Sequence, residues 1–384
     1  MKSLLKGTDW PTLILCMVTS AFGLLMVHSA TLSAAELADR AFSTTVVTSA
    51  LGVGLGLIAA LAMSFLDYEI LLRFWYVIAG ISLLLMLALI PFGVSPPGRD
   101  DATRWLTLIP DQLYFQPSEL LKLAFIISFT WHLHRVREHI NKLRHVVLLG
   151  IHAIIPFGLV AVTGDLGSAL VLLFATIGML FLAGLKLRWF LAIFATAAAA
   201  MPLLWFNFID DFQRNRILAL YWPSSLPESV VNTVMFQQNQ SMAAIGAGQL
   251  TGRGLFNGSV PVPVQDSDMI FSLVGEELGF LGALAVILLL AAVIIRLVRV
   301  SGRTRNLRAR LMCAGAAFMI GAQAIVNIGV AVRLLPVTGI TLPFFSAGGS
   351  ANLSLYLTIG LALTVFRHQN EHEDTQSYFD YLYS

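Results

Sequence analysis

Residues 270–297 read IFSLVGEELGFLGALAVILLLAAVIIRL. From Phe280 to Ile295 nothing is charged, and a helix needs about 20 mostly apolar residues to cross a hydrocarbon core. In that medium the backbone must satisfy its own hydrogen bonds, so a run of this kind predicts a membrane-spanning helix. Moving outward in both directions, the same reading gives ten candidate spans: 11–30, 44–66, 70–92, 118–131, 145–162, 166–185, 189–208, 270–297, 310–332 and 348–366. The fourth is the least apolar, because Glu119 and Lys122 fall in its first turn. The first is too long for a removed signal peptide and lacks a small-residue cleavage site, so an anchor is expected.

Composition agrees with the spans. The chain has 384 residues, 57% hydrophobic and 12% charged, with a mean hydropathy of +0.79. Soluble domains carry about 25% charged residues, so the bilayer is the main solvent. The expected fold is an all-α polytopic membrane protein of ten transmembrane helices. It forms one domain over 1–366, with a large extracytoplasmic loop at 209–268 between spans seven and eight, and a polar tail at 367–384. A net charge of +2 is too small to indicate nucleic acid as a partner. Cys16 and Cys313 both lie in apolar runs and read as small buried thiols, not as a disulfide or metal framework.

Basic residues set the orientation. Arg135, Arg137, Lys142 and Arg144 follow span four, Lys186 and Arg188 follow span six, and Arg296, Arg299, Arg303, Arg305, Arg308 and Arg310 surround the turn after span eight. With Lys2, Lys6 and Arg367 they place both termini in the cytoplasm. The opposite side receives two long loops, 93–117 and 209–268, of a length usually reserved for function.

Where charge is scarce, the polar residues at membrane depth or in the outer loops carry the information, since an intramembrane carboxylate costs about 2.5–3.5 kcal/mol. Four clusters emerge. In the first, Arg104 precedes Phe115-Gln-Pro-Ser118-Glu119-Leu-Leu-Lys122. Pro117 and Ser118 read as a helix start with Ser118 as a cap. Glu119 and Lys122, three apart, share a face and can neutralise each other, or form a charged lip that meets an anionic head group. In the second, Thr163-Gly164-Asp165-Leu-Gly167-Ser168 is a tight turn. Asp165 either serves the turn itself or caps the next span with its carboxylate directed into an outward cavity.

The third cluster occupies the long outer loop. It contains Arg214, Arg216, Gln237, Gln238, Gln240, Ser241, several glycines, and Pro261-Val-Pro263-Val-Gln-Asp266-Ser-Asp268. Glycine turns and stiff prolines suggest a shaped, non-helical surface, with amides and arginines suited to sugar and phosphate oxygens. Its Gly-x-Gly steps have no βαβ context and are not a dinucleotide fingerprint. Asp268 at the mouth of span eight reads either as an N-cap or as a carboxylate able to take a proton from a hydroxyl nucleophile. Glu276 and Glu277 follow on the same helix and suit buried, hydrogen-bonded structural roles, Glu276 turned closer to Asp268. The fourth cluster runs from Asn327 through Arg333, Pro336, Thr338, Gly339, Thr341 and Pro343 to Gly348, Gly349 and Ser350. It predicts a broken, re-entrant segment, tolerated at that depth only when buried in protein or lining a wet cavity.

Together these motifs resemble the SEDS family (shape, elongation, division and sporulation), whose best-known members are RodA and FtsW. The strongest stretches are Phe115 to Glu119 with Lys122, Phe271 to Gly279, and Leu335 to Gly339 continuing through Leu342-Pro343 to Ser350. The stretch Gly254-Leu-Phe-Asn-Gly258-Ser259 is closer to the RodA branch. The chain departs from the usual Pro-Glu-x-His-Thr-Asp at Val264, Asp266 and Ser267, so that a glutamate and a histidine are absent before Asp268, and departs also at Ala347 and at Thr163-Gly164.

The resemblance implies a peptidoglycan glycosyltransferase of the bacterial cytoplasmic membrane that polymerises lipid II, with a class B penicillin-binding transpeptidase as partner. It places the family's essential aspartate on Asp268. It also places the family's motifs on Asp165, Glu119 and Lys122; with Arg104, Arg216, Gln240, Ser241 and Ser350 these are the candidates for substrate binding, and Glu276, Glu277, Pro336, Gly339, Gly348 and Gly349 those for support. No sequence signature marks a metal, although a divalent cation such as magnesium or manganese would suit a pyrophosphate leaving group. The residues alone also fit a lipid-precursor flippase or an inactive scaffold for a transpeptidase.

Overall fold

The computed structural model describes residues 7–32, 43–95, 103–109, 113–207 and 209–382. Lys2 and Lys6 lie outside the described residues, as do 96–102 and 110–112 of the 93–117 loop. The elements in chain order are α1 (Trp10–Leu32), α2 (Thr44–Ser64), α3 (Tyr68–Arg73), α4 (Trp75–Phe92), β1 (Leu106–Ile109), β2 (Leu113–Phe115), α5 (Pro117–Val136) and α6 (Leu143–Val162). They continue as α7 (Leu166–Leu182), α8 (Leu187–Asn207), α9 (Asp211–Tyr221), α10 (Glu228–Gly248), α11 (Ile270–Arg303), α12 (Leu307–Ala331) and α13 (Gly349–Leu382).

The all-helical membrane architecture is present. Eight of the described helices (α1, α2, α4, α6, α8, α11, α12 and α13) are long and apolar enough to cross a bilayer. The two remaining expected spans correspond to α5, which carries Glu119 and Lys122, and to α7, an apolar helix of 17 residues. The third expected span is not continuous: α3 ends at Arg73 and α4 restarts after Phe74, whose backbone (φ −96°, ψ 18°) leaves the helical region. Asp67 caps α3 by accepting from the Glu69 amide at 2.9 Å.

α12 sits at the centre, in contact with α5, α7, α11 and α13. Most of its apolar side chains are buried, as a helix largely surrounded by other helices requires, while Phe318 and Ile325 stay exposed. α8, by contrast, buries none of its described side chains and displays Leu187, Phe194 and Phe206 at 72–76% exposure; this is the lipid-facing periphery. α13 packs along α2, and its Tyr356 Oη shares a 2.8 Å hydrogen bond with Ser20 Oγ and donates to the Cys16 carbonyl of α1.

Three arginine contacts mark one end of the bundle. Arg296 pairs with Asp9, Arg308 with Glu69 at 2.8 Å, and Arg367 Nη1 reaches Thr8 Oγ1 at 3.4 Å. The beginning of α1, the end of α11, the beginning of α12 and Arg367 therefore meet there. At the far end of α1, Ser29 donates to Glu277. That opposite end carries an antiparallel β1–β2 hairpin and the 209–268 segment. Where the glycines and prolines suggested a non-helical surface, this segment holds α9 and α10. α10 buries Met235, Gln238, Ser241, Ala244 and Gly248 and packs against α11.

Candidate active site

Asp268 lies in a run of turns that ends at α11. The helix starts at Ile270 and its N-cap is Met269, so the capping reading of Asp268 is corrected. Three successive carbonyls are held from outside instead. The Asp266 carbonyl accepts from the Ala347 amide at 2.8 Å, that of Ser267 from Ser346 Oγ at 2.6 Å, and that of Asp268 from Asn327 Nδ2 at 2.8 Å. Asn327 Nδ2 also donates to the Ile340 carbonyl at 2.7 Å. One buried amide on α12 thus ties the Asp268 turn to the broken segment after α12. Ser346 does similar work within that segment, accepting from the Leu342 amide at 2.6 Å.

The broken segment brings Gly339 up to the aspartate. Gly339 has φ 75°, and a Cβ added to it would lie 2.6 Å from Arg104 Nη1 and 3.7 Å from Asp268 Oδ2. The Arg104 guanidinium and the Asp268 carboxylate therefore converge over one residue without a side chain. Both are nearly covered, at 5% and 8% exposure. Arg216 on α9 reaches the same segment, donating from Nη1 to the Val337 carbonyl at 3.3 Å while its guanidinium stacks 4.2 Å over the Phe212 ring. Asp268, Arg104 and Arg216 come from three distant parts of the chain and meet on residues 337–339. Pro336 is half-buried at the start of this segment.

The other expected residues are placed differently. Lys122 Nζ lies 2.7 Å from Glu119 Oε1, and both side chains are buried, so the pair sits inside the bundle and not as a lip on its surface. Lys122 also lies 3.4 Å from Gln323 Oε1, and Gln323 Nε2 donates to the Thr341 carbonyl and hydroxyl. This links the pair to the re-entrant segment two residues beyond Gly339. The adjoining cavity is about 20 Å³, room for one water and not for a sugar.

Asp165 caps α7, accepting from the Ser168 amide at 3.1 Å, and its other oxygen accepts from Gln116 Nε2 and Ser118 Oγ, each at 2.9 Å. Ser118 is thus a tie to Asp165. The N-cap of α5 is Gln116, with Pro117 following. Ser241 donates to the Ala331 carbonyl at 2.8 Å, and its neighbour Gln238 to those of Val330 and Leu335, so both close the end of α12. Gln240 is half-buried on α10, and Ser350 half-buried in the first turn of α13. The Gly348 amide donates to Ser49 Oγ at 3.2 Å, and the Gly349 Cα abuts α2.

Glu276 and Glu277 hold a loop. α11 is broken at Gly279 (φ 65°, ψ −162°), a backbone region open essentially to glycine alone. The break frees two carbonyls and two amides, and the stretch after α10 satisfies all four. Arg253 N donates to the Glu276 carbonyl and Gly254 N to that of Glu277, while the Phe280 and Leu281 amides donate to Gln249 and Leu250. The Glu276 carboxylate accepts from the Ser259 and Val260 amides at 2.8 and 3.1 Å and from Arg253 at 3.3 Å. Glu276 therefore faces residues 253–260 and not the Asp268 side. Asn327 and Ser346 lie within the fourth cluster, but the sequence did not show that they tie the Asp268 turn to the re-entrant segment, since their partners are fixed only once those segments are adjacent. Among the described residues no group of three or more His, Cys, Asp or Glu side chains is placed to hold a metal ion.

The same architecture is known elsewhere. The sequence model of the FtsW/RodA/SpoVE family, described as cell cycle protein, matches residues 10–371. The peptidoglycan glycosyltransferase MrdB of Escherichia coli strain K12 is 30% identical over 330 residues, covering 83% of this chain and 84% of that protein. The probable peptidoglycan glycosyltransferase FtsW of Geobacter sulfurreducens is 32% identical over 378 residues, covering 93% and 94%. Among solved structures, a chain reported under "Structural coordination of polymerization and crosslinking by a peptidoglycan synthase complex" superposes with a TM-score of 0.78 at 29% identity, covering 94% of this chain and 98% of that one. The crystal structure of the rod shape determining protein RodA of Thermus thermophilus gives 0.68 at 28% identity, covering 94% and 97%. A match from the first helix into the last, with the same course of helices in space, means that the chain belongs to the FtsW/RodA/SpoVE family.

Proposed function

We propose that this protein is a peptidoglycan glycosyltransferase that extends glycan strands from lipid II at the outer face of the cytoplasmic membrane. The observation that carries the reading is the convergence of the Asp268 carboxylate and the Arg104 guanidinium over Gly339. A base and a cation side by side, at the opposite end of the bundle from the arginine-rich turns, are what an inverting transfer from a pyrophosphate donor requires.

In this reaction the 4-hydroxyl of an acceptor N-acetylglucosamine attacks the anomeric carbon of the donor's N-acetylmuramic acid. The new C–O bond forms as the bond from the anomeric carbon to phosphate breaks, and the electron pair leaves with undecaprenyl pyrophosphate. The hydroxyl proton passes to the Asp268 carboxylate. Arg104 and Arg216 offset the negative charge that builds on the departing pyrophosphate. Glu119 and Lys122 act at one remove, through Gln323 and Thr341, by holding the re-entrant segment.

Both termini face the cytoplasm, following the basic turns. The partner is a class B penicillin-binding transpeptidase that cross-links the product. The test is polymerisation of purified lipid II by the reconstituted full-length protein, with and without that partner. Asp268→Asn is expected to lower the rate by about 10²–10⁴-fold with the thermal unfolding midpoint unchanged. Near-normal glycan synthesis by a folded Asp268→Asn protein would overturn the assignment. Transbilayer movement of lipid II without polymer would favour a flippase.

A further inference from the structure

Away from the proposed active site, the α4–α5–α6 edge carries two adjoining hollows. The first is an apolar groove of about 270 Å³ between the three helices. Its walls are Leu121, Ala124, Phe125 and Ser128 on α5, with Leu148, Ile151, His152 and Ile155 on α6. Leu148, Ile151 and Ile155 are 40–48% exposed, so the groove opens sideways, toward lipid. The second is a basic pocket of about 320 Å³ at the α5–α6 turn, lined by Arg135, Arg137, His139 and His145 among others, with Glu138 its one acid.

Helical spacing joins them. Ser128, His132 and Arg135 continue the α5 wall, and His145, Leu148, His152 and Ile155 form one stripe on α6, since residues three and four apart share a face. His132 Nδ1 and His152 Nδ1, 3.0 Å apart, bridge the two helices along this line. Trp131 stacks on Trp75 at 4.4 Å, and the Arg135 guanidinium lies 5.5 Å over the Trp131 ring. Tryptophans of this kind mark the membrane–water boundary. Arg135 and Arg137 are exposed, and neither pairs with a carboxylate among the described residues: Arg135 meets Trp131 and Arg137 meets His134.

We infer that this edge binds an anionic phospholipid of the leaflet on the side of the basic turns, its phosphate held at Arg135, Arg137 and His145 and an acyl chain lying in the α4–α5–α6 groove. Two forked guanidiniums favour phosphate oxygens, and the excess of positive charge favours a head group with a net negative charge. The groove that continues from the pocket distinguishes a lipid from a soluble anion, which has no use for apolar walls.

The test uses the full-length protein in a neutral detergent and follows its thermal unfolding by tryptophan fluorescence during titration with phosphatidylglycerol, phosphatidylcholine or inorganic phosphate. Phosphatidylglycerol is expected to raise the midpoint saturably, while the other two leave it within error. The surface variant Arg135→Gln/Arg137→Gln should keep the unliganded midpoint and weaken the apparent lipid affinity at least ten-fold. Ile155→Trp, which fills the groove from its exposed side, should weaken it similarly. Equal shifts from phosphatidylcholine, a shift reproduced by inorganic phosphate alone, or unchanged affinity in the arginine variant would each overturn the inference.

Discussion

Gly339 carries no side chain, and the site depends on that. A methyl group there would stand 2.6 Å from Arg104 Nη1, so the guanidinium would have to move off the aspartate. The positive φ adds about 1–2 kcal/mol for any L-residue. Gly339→Ala is therefore expected to unfold only a few degrees below the parent but to lose most polymerising activity, measured by lipid II polymerisation beside a thermal scan. If activity survived, the Arg104 position would be immaterial. The buried pair on α5 makes the opposite expectation. Removing Lys122 alone leaves the Glu119 carboxylate uncompensated, and breaking a buried pair in this way costs about 3–5 kcal/mol. Lys122→Met should thus be strongly destabilised, and Glu119→Leu/Lys122→Met should recover most of the loss in chemical denaturation. A double variant no more stable than the single one would show that the pair's worth lies in its tie to Gln323.

Among the elements, α11 shows how a helix is broken on purpose. The sequence over 270–297 reads as one helix, yet Gly279 leaves the helical region and four backbone groups pass to residues 249–254. The backbone alone would charge Gly279→Ala about 1–3 kcal/mol, and its methyl would meet the Gly252 amide nitrogen at 2.4 Å. That variant is expected to lose the stitched loop first, so protease nicking between 249 and 260 should appear well below the global unfolding temperature. Cleavage that begins elsewhere would locate the weak point outside the break. Periodicity does not reveal such a break, because a glycine within an apolar helix looks the same whether it is helical or not.

At the scale of the whole molecule, charge asymmetry and burial both lead to labelling experiments. The Arg296, Arg308 and Arg367 contacts gather at the end of the bundle remote from Asp268. In a background lacking Cys16 and Cys313, Arg305→Cys is expected to react with a membrane-impermeant maleimide only from the cytoplasmic side, and Leu255→Cys only from outside. Reaction of both from one side would invalidate the ten-span orientation. The native thiols have 0% exposure and should label only on unfolding. Membrane residence and helical architecture were legible in sequence, because burial in lipid demands long apolar runs, and the candidates for the proposed site stood out because so few charges remain. The pairing of Asp165 with Ser118, the turning of Glu276 toward residues 253–260, the helices inside the 209–268 segment, and the meeting of Arg104, Arg216 and Asp268 on residues 337–339 were decided only by tertiary structure. Each depends on hydrogen-bond partners or close approaches between segments up to 235 residues apart (Arg104 to Gly339), and the pattern of a single segment holds no record of which distant carbonyl or carboxylate it will meet.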